Sequence, residues 1–333
     1  MTGTDAKTVA AHVLTSRAFF RGTGIWIFCI VFIGVSTEPS EAGLKLKLSI
    51  MFWKTRRHKI DLLSEENSKG MLMGILNTTP DSFSDGGQHF NLSDAVAVAL
   101  QMVARGANII DIGGESTRPG APAVSADEEI QRTVPVLRAL RERSDVMISI
   151  DSSKASVAAA ALEAGADIVN DVTGLNGDPE MANVCAEAQC GVVVMHMQGT
   201  PRTMQIEPQY KMGVVHETME FFKERLASLK EAGIDPESIC IDPGIGFGKT
   251  VEQNVALIKN LADIQKQVGR PVLLGVSRKS IIGALTGIED PQQRDAATAM
   301  LTSLNFREGI LLHRVHDIEI NRGALGLAHS IYS

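Results

Sequence analysis

From Met71 onward the chain repeats one unit. A short apolar run rich in Ile and Val is followed by a longer amphipathic segment, often with a glycine at the junction back to the next run. Arg105-Gly106-Ala107 precedes NIIDI, Ala164-Gly165-Ala166 precedes DIVND, and Glu308-Gly309 precedes ILLHRV. Glycine suits the position just past a helix because it enters the left-handed region without a Cβ penalty. Eight strands are predicted: Met71–Asn77, Asn108–Gly113, Val146–Asp151, Asp167–Asn170, Gly191–His196, Ser238–Asp242, Pro271–Val276 and Ile310–Val315. Continuous apolar runs, rather than alternating ones, suit parallel strands covered on both faces. Eight strand–helix units are the arithmetic of an α/β fold of the (β/α)8 TIM-barrel kind. An open doubly wound sheet fits the same alternation.

The rest of the composition narrows the function. In 333 residues, 44% apolar and 21% charged side chains suffice for a large core and exclude general disorder. A net charge of −7 without a basic block argues against a nucleic-acid surface, although local cations and helix ends can still hold a small anion. Cys29, Cys185, Cys190 and Cys240 have no metal-type spacing and read as reduced residues of a cytoplasmic protein. The apolar run Ile25–Val35 is shorter than the ~20 residues a spanning helix needs, so no membrane anchor is expected. Residues 1–50 read as an extension, either a leader or sequence upstream of a true start at Met51, and residues 51–333 as one barrel domain. Trp53–Leu63 reads as an edge segment leading into the first strand.

Polar chemistry gathers at strand ends. Asn77, Asp151, Asn170, His196, Asp242, Ser277 and Arg314 each sit at or just after the C-terminal end of an apolar run. In a barrel all these ends open on one face, where active sites lie. A lone Asp there is ordinarily a helix cap; caps explain one or two such positions, not the set. Two loops rich in Gly, Ser and Thr follow the first two strands: Asn77–Gly87, with an embedded Phe83, and Gly113–Gly120, with Arg118. The segment Asp242–Thr250 spaces its glycines G-x-G-x-G and has Pro243 where a P-loop needs glycine, so both nucleotide-binding fingerprints fail. Ser277-Arg278-Lys279-Ser280 and Arg314-Val315-His316-Asp317 close the last two strands, where barrels hold phosphate. Asp151 and Asp242, with Asn170 between them, match the hydrogen-bonding edge of a fused amino-oxo heterocycle. No closely spaced ligand set marks a metal, but Mg²⁺ held mainly by ligand phosphates leaves little trace.

The segments MGILNTTPDSFSDGG, GGESTRPG, NDVTG, MHMQGTP, DPGIGFGKT, GVSRKS and RVHD, in that order, resemble the bacterial dihydropteroate synthase family. The resemblance runs from Met51 to Asp317 and implies a (β/α)8 barrel of folate synthesis, most often a homodimer. Such an enzyme joins 4-aminobenzoate to the 6-methylene of a dihydropterin diphosphate and releases diphosphate, with Mg²⁺. It implies that Asp151, Asn170, Asp242 and Lys279 hold the pterin, with Met195 and Gly275 lining the slot. Asn77 as the Mg²⁺ ligand, Arg314 and His316 resemble the diphosphate site, and Thr117 and Arg118 belong to the second loop. Phe83, Ser84 and Asp85, with Pro119, Phe247 and Ser280, resemble the aminobenzoate pocket; Asp151, Lys279, Arg314 and Asp85 are the implied catalytic set. Thr78 and Ser152-Ser153 depart from the family pattern, and the tail after Asp317 resembles it least, which predicts a short eighth helix. Two rivals stay open. A pterin-binding methyltransferase domain shares the barrel but has no use for the SRKS and NTTPDSFSDGG loops, and a non-catalytic binding module has none for Asn77 or the Arg314–His316 pair.

Overall fold

Successive side chains along the barrel strands enter two different cores. The computed structural model describes residues 51–79, 91–116, 121–199, 204 and 207–332. In order, a short β-hairpin, β1 (Phe52–Lys54) and β2 (Lys59–Asp61), precedes β3 (Met71–Asn77), α1 (Leu92–Ala104), β4 (Ile109–Gly113), α2 (Ala126–Arg141), β5 (Met147–Asp151) and α3 (Ala155–Glu163). Next come β6 (Ile168–Asp171), α4 (Met181–Ala188), β7 (Gly191–Met195), α5 (Val214–Glu231), β8 (Ile239–Asp242), α6 (Val251–Lys259) and α7 (Leu261–Val268). The chain ends with β9 (Leu273–Leu274), α8 (Ser280–Thr286), α9 (Asp295–Arg307), β10 (Leu312–Val315) and α10 (Ile318–Tyr332).

Strands β3 to β10 form one parallel sheet in the order β8-β7-β6-β5-β4-β3-β10-β9. A parallel bridge between Ile241 and Val272 and a 2.9 Å bond from Ile241 N to Pro271 O join its two edges, so the sheet closes. The open-sheet alternative is thereby set aside. One set of residues, Met73, Ile109, Ile168, Val193, Cys240, Leu273 and Leu312, fills the barrel interior. Their strand neighbours Leu72, Ile110, Val169, Val192, Ile241, Leu274 and Val315 face the helices. The period-two geometry of a strand covered on both sides produces the continuous apolar runs of the sequence.

Three expectations are corrected. Trp53–Leu63 is not an edge of the barrel sheet: Phe52 pairs with Asp61 and Lys54 with Lys59 in a separate antiparallel ladder. Its Trp53, Ile60 and Leu62 pack onto the interior core, with Trp53 Nε1 donating to Ser238 O at 3.0 Å, so the hairpin plugs the N-terminal end of the barrel. The seventh barrel strand is shorter than Pro271–Val276, because Val272 N is taken by the Gln265 side chain and the chain leaves the ladder at Gly275. The last helix is not short. Gly323 and Gly326 lower its intrinsic propensity, yet α10 runs 15 residues, burying Ile318, Asn321, Leu325 and Ala328. Arg322 locks it to the barrel base through Gly70 O, Gly106 O and Asn108 Oδ1.

Candidate active site

The interior layer above the apolar plug is polar. In register, Asp111 of β4 lies beside Ser149 of β5, and Asp151 lies between Gly113 of β4 and Asn170 of β6. Arg314, from the interior-facing row of β10, reaches across β3 and bonds two carboxylates. Its Nε donates to Asp111 Oδ2 and its Nη2 to Asp151 Oδ2, both at 2.6 Å. Asn170 Nδ2 donates to the same Asp111 oxygen at 3.1 Å. Asp111 is wholly buried, and its Oδ1 is left without a partner among the described residues. Sequence reading missed Asp111, though a signal existed: in NIIDI the lone carboxylate is in phase with the interior-facing Ile109.

On the far wall, Asp242 ends β8 and accepts from Gly244 N at 2.7 Å. Lys279 follows β9; its Nζ donates to Ile245 O and lies 4.5 Å from the Phe247 ring centroid. Gly275 passes so close to this wall that a Cβ there would lie 3.2 Å from Asp242 Oδ2. Met195 is a buried member of the interior-facing row of β7. Asn77 ends β3 half-buried, in register with Gly113. His316 Nδ1 lies 2.9 Å from Ser277 Oγ, which also accepts from His316 N. Ser280 is exposed at the first position of α8. The two departures are absorbed locally: Thr78 Oγ1 donates to Gly113 O, and Ser152 Oγ accepts from Lys154 N.

Burial and crowding set the protonation. Burial pushes the Asp151 carboxyl up to about 7; Arg314 pulls it back, and the adjacent Asp111 pushes it further. Burial also raises Asp242, against Lys279 and the Gly244 N–H. Burial lowers Lys279 to about 8, with Asp242 opposing. Arg314 is drawn down by burial, but Asp111 and Asp151 outweigh it and leave its pKa raised. The site is a set of mutually compensated charges able to exchange partners when a polar ligand enters.

Some expected members stand elsewhere. His196 points out of the barrel into an aromatic cluster, 4.9 Å from the Phe221 ring, and burial beside Lys249 holds it near 3. Its neutral ring is a core residue. Arg278, with φ at +60°, turns from the site and gives the Nε–Nη2 edge of its guanidinium to both carboxylate oxygens of Asp295. Phe83, Ser84, Asp85, Thr117, Arg118 and Pro119 lie outside the described residues. Among the described residues, no three His, Cys, Asp or Glu side chains cluster as a metal site.

The pterin binding enzyme family matches residues 73–316, the span of this barrel. Dihydropteroate synthase of Synechocystis sp. is 46% identical over 248 residues, 74% of this chain and 85% of the relative. The crystal structure of Yersinia pestis dihydropteroate synthase in a sulfonamide drug complex is 40% identical, with a TM-score of 0.78 over 84% of this chain and 99% of that one. Xanthomonas albilineans dihydropteroate synthase with 4-aminobenzoic acid is 39% identical, with a TM-score of 0.77 over 85% of this chain and 98% of that one. A closed barrel with its polar residues massed at one end, matched along nearly the whole length of these relatives, places the chain among the pterin-binding enzymes, in the dihydropteroate synthase family.

Proposed function

We infer that the protein condenses (7,8-dihydropterin-6-yl)methyl diphosphate with 4-aminobenzoate, giving 7,8-dihydropteroate and diphosphate. The observation that carries the assignment of roles is Arg314 shared between Asp111 and Asp151 at the edge of a wall of acceptors. Asp151, Asn170 and Asp242 take the amino and ring N–H groups of the pterin, Lys279 its oxo edge, and Met195 and Gly275 leave a slot for a flat ring. Arg314 and His316 face the diphosphate. Phe247 and Ser280, with Phe83, Ser84, Asp85, Thr117, Arg118 and Pro119 from the two loops, form the aminobenzoate side.

The methylene–oxygen bond breaks as charge builds on the departing diphosphate, and Arg314 and His316 stabilise that charge by electrostatics. The pterin ring carries the positive charge left on the methylene, and ionised Asp151 stabilises it more than it stabilises the ground state. The aniline nitrogen is uncharged near neutral pH, so the pocket orients it toward the methylene rather than deprotonating it first. Asn77 offers one neutral oxygen donor at the strand end, which suits a Mg²⁺ that takes its remaining ligands from phosphates and water. When bound there, Mg²⁺ neutralises diphosphate charge. Purified protein given both substrates and Mg²⁺ should form dihydropteroate and diphosphate one to one. Diphosphate release without dihydropteroate, or pterin binding without turnover, contradicts the assignment.

The partner surface and the first fifty residues belong to the same reading. Met300 and Leu304 on α9, and Leu327 and Ile331 on α10, are exposed on two helices that pack together. A second copy of the chain covers them in a homodimer. Leu304→Glu with Leu327→Glu should convert a dimer to a monomer in light scattering, with the thermal midpoint of the barrel nearly unchanged; an unaltered mass refutes this interface. No helix among the described residues is long and apolar enough to cross a membrane, and the chemistry suits a cytoplasmic enzyme. Residues 1–50 precede the barrel domain and are dispensable for it. A chain starting at Met51 keeps the Trp53 plug and should retain near-full turnover, whereas one starting at Leu62 should fold poorly; kcat and thermal melts of both check this.

A further inference from the structure

Lys249 is a buried cation that the chemistry above does not use. It lies 3% exposed at the end of the DPGIGFGK segment between β8 and α6. Its Nζ donates to Phe247 O at 2.8 Å, Gly244 O at 3.0 Å and His196 O at 3.2 Å. Two of these carbonyls belong to the β8–α6 loop and the third to the end of β7. The same two segments touch backbone to backbone. A Cβ on Gly244 would lie 1.9 Å from His196 O, and one on Gly248 would lie 2.6 Å from Gln198 O, both at positive φ. Asn254 holds the loop from the helix side, its Oδ1 accepting from Gly246 N at 2.7 Å. The loop so fixed supplies Ile245 O to Lys279 Nζ and the Phe247 ring beside it.

We propose that Lys249 is a positioning residue for the pterin end of the site: by tying three carbonyls to one ammonium, it seats Gly244–Gly248 on the end of β7 and so places Lys279 and Phe247. The inference rests on the assignment of Asp242 and Lys279 to the pterin. A buried ion is weak evidence for stability, since its desolvation offsets its attractions. Here burial pushes Lys249 down to about 7, with Asp242 drawing it back. What the ammonium supplies that an apolar side chain cannot is three convergent donors, which join the glycine-rich loop, already held by Asn254 from the helix side, to the end of β7.

The test uses the full chain, with 6-hydroxymethylpterin and, separately, diphosphate with Mg²⁺ as calorimetric probes, and Trp53 emission, read with Trp26→Phe in every variant because the chain has two tryptophans, as a monitor of the opposite end of the barrel. Lys249→Met should weaken pterin binding at least about tenfold, the order of one charge-assisted hydrogen bond. KM for the pterin substrate should rise in step, with diphosphate affinity and Trp53 emission unchanged. Lys249→Arg keeps the charge, but its planar fork cannot place three donors at one point, so it should also lose pterin affinity while keeping diphosphate affinity. It carries the test if the Met variant does not fold. Pterin affinity equal to wild type in a folded variant overturns the proposal. So does parallel loss of pterin binding, diphosphate binding and native Trp53 emission in Lys249→Arg, which marks a merely structural role. Asp242→Asn is the parallel arm: if it too binds pterin normally, the site assignment fails, whereas normal binding in the Lys249 variants alone brings down only the positioning role.

Discussion

Arg314→Ala should lower kcat/KM by roughly 10²–10³ or more, the scale for removing one donor that meets developing negative charge. It should also destabilise the fold. The guanidinium is the shared partner of Asp111, which is fully buried, and of Asp151, which is nearly so. Breaking a buried pair by removing one member typically costs about 3–5 kcal/mol, because the remaining charge is left unpaired. Asp151, raised by burial and no longer drawn down by Arg314, then rises further in pKa; the native state binds more protons than the unfolded chain, and stability falls as pH rises through that range. Urea melts should therefore show the variant gaining stability from about pH 8 to about pH 6. Arg314→Lys should recover part of the stability and little of the rate, since a point charge cannot serve two carboxylates in the fork geometry. Wild-type stability in Arg314→Ala contradicts the pairing.

Asp151→Asn should cut turnover by about 10²-fold while the protein stays folded, if the carboxylate charge stabilises the methylene cation. The pH profile gives a second reading. Asp151 is held up at about 7 in the free site, and only its ionised form serves. Wild-type kcat/KM for the pterin substrate should climb with pH and level off above that value, since this parameter reports the free enzyme. The Asn variant should lose that acid limb, and the limb should move to higher pH in Arg314→Ala, where the group holding Asp151 down is gone. Unchanged turnover, or the same limb in the Asn variant, removes Asp151 from the chemistry.

The barrel was legible because it is written twice, in the repeat of strand, helix and glycine and in the polar residues at strand ends. What sequence reading could not supply is side-chain phase at the strand's last residue. Asn170, Asp242 and Arg314 face the barrel interior or its mouth, whereas His196, one step past the inward Met195, faces out and joins Phe221. Asp111 escaped notice because it sits inside an apolar run rather than at its end, yet it anchors Arg314. Lys279 and Arg278 are neighbours in sequence and look equally available. A positive φ at Arg278 sends one side chain to Asp295 and the other to the site wall. The last helix was underread from the tail's weak likeness to the family, whereas burial of Ile318, Asn321, Leu325 and Ala328 holds it despite two glycines.

In the proposed reaction, diphosphate departs ahead of the incoming amine, and the charges of Arg314 and Asp151 serve that step. It is read most directly by the secondary deuterium isotope effect at the 6-methylene, measured on kcat/KM with Asp151→Asn, in which slowed bond breaking should limit the rate. Loosening of the methylene toward a planar cation predicts a normal effect, the CH₂ substrate reacting faster than the CD₂ substrate; a value of unity or below would contradict it.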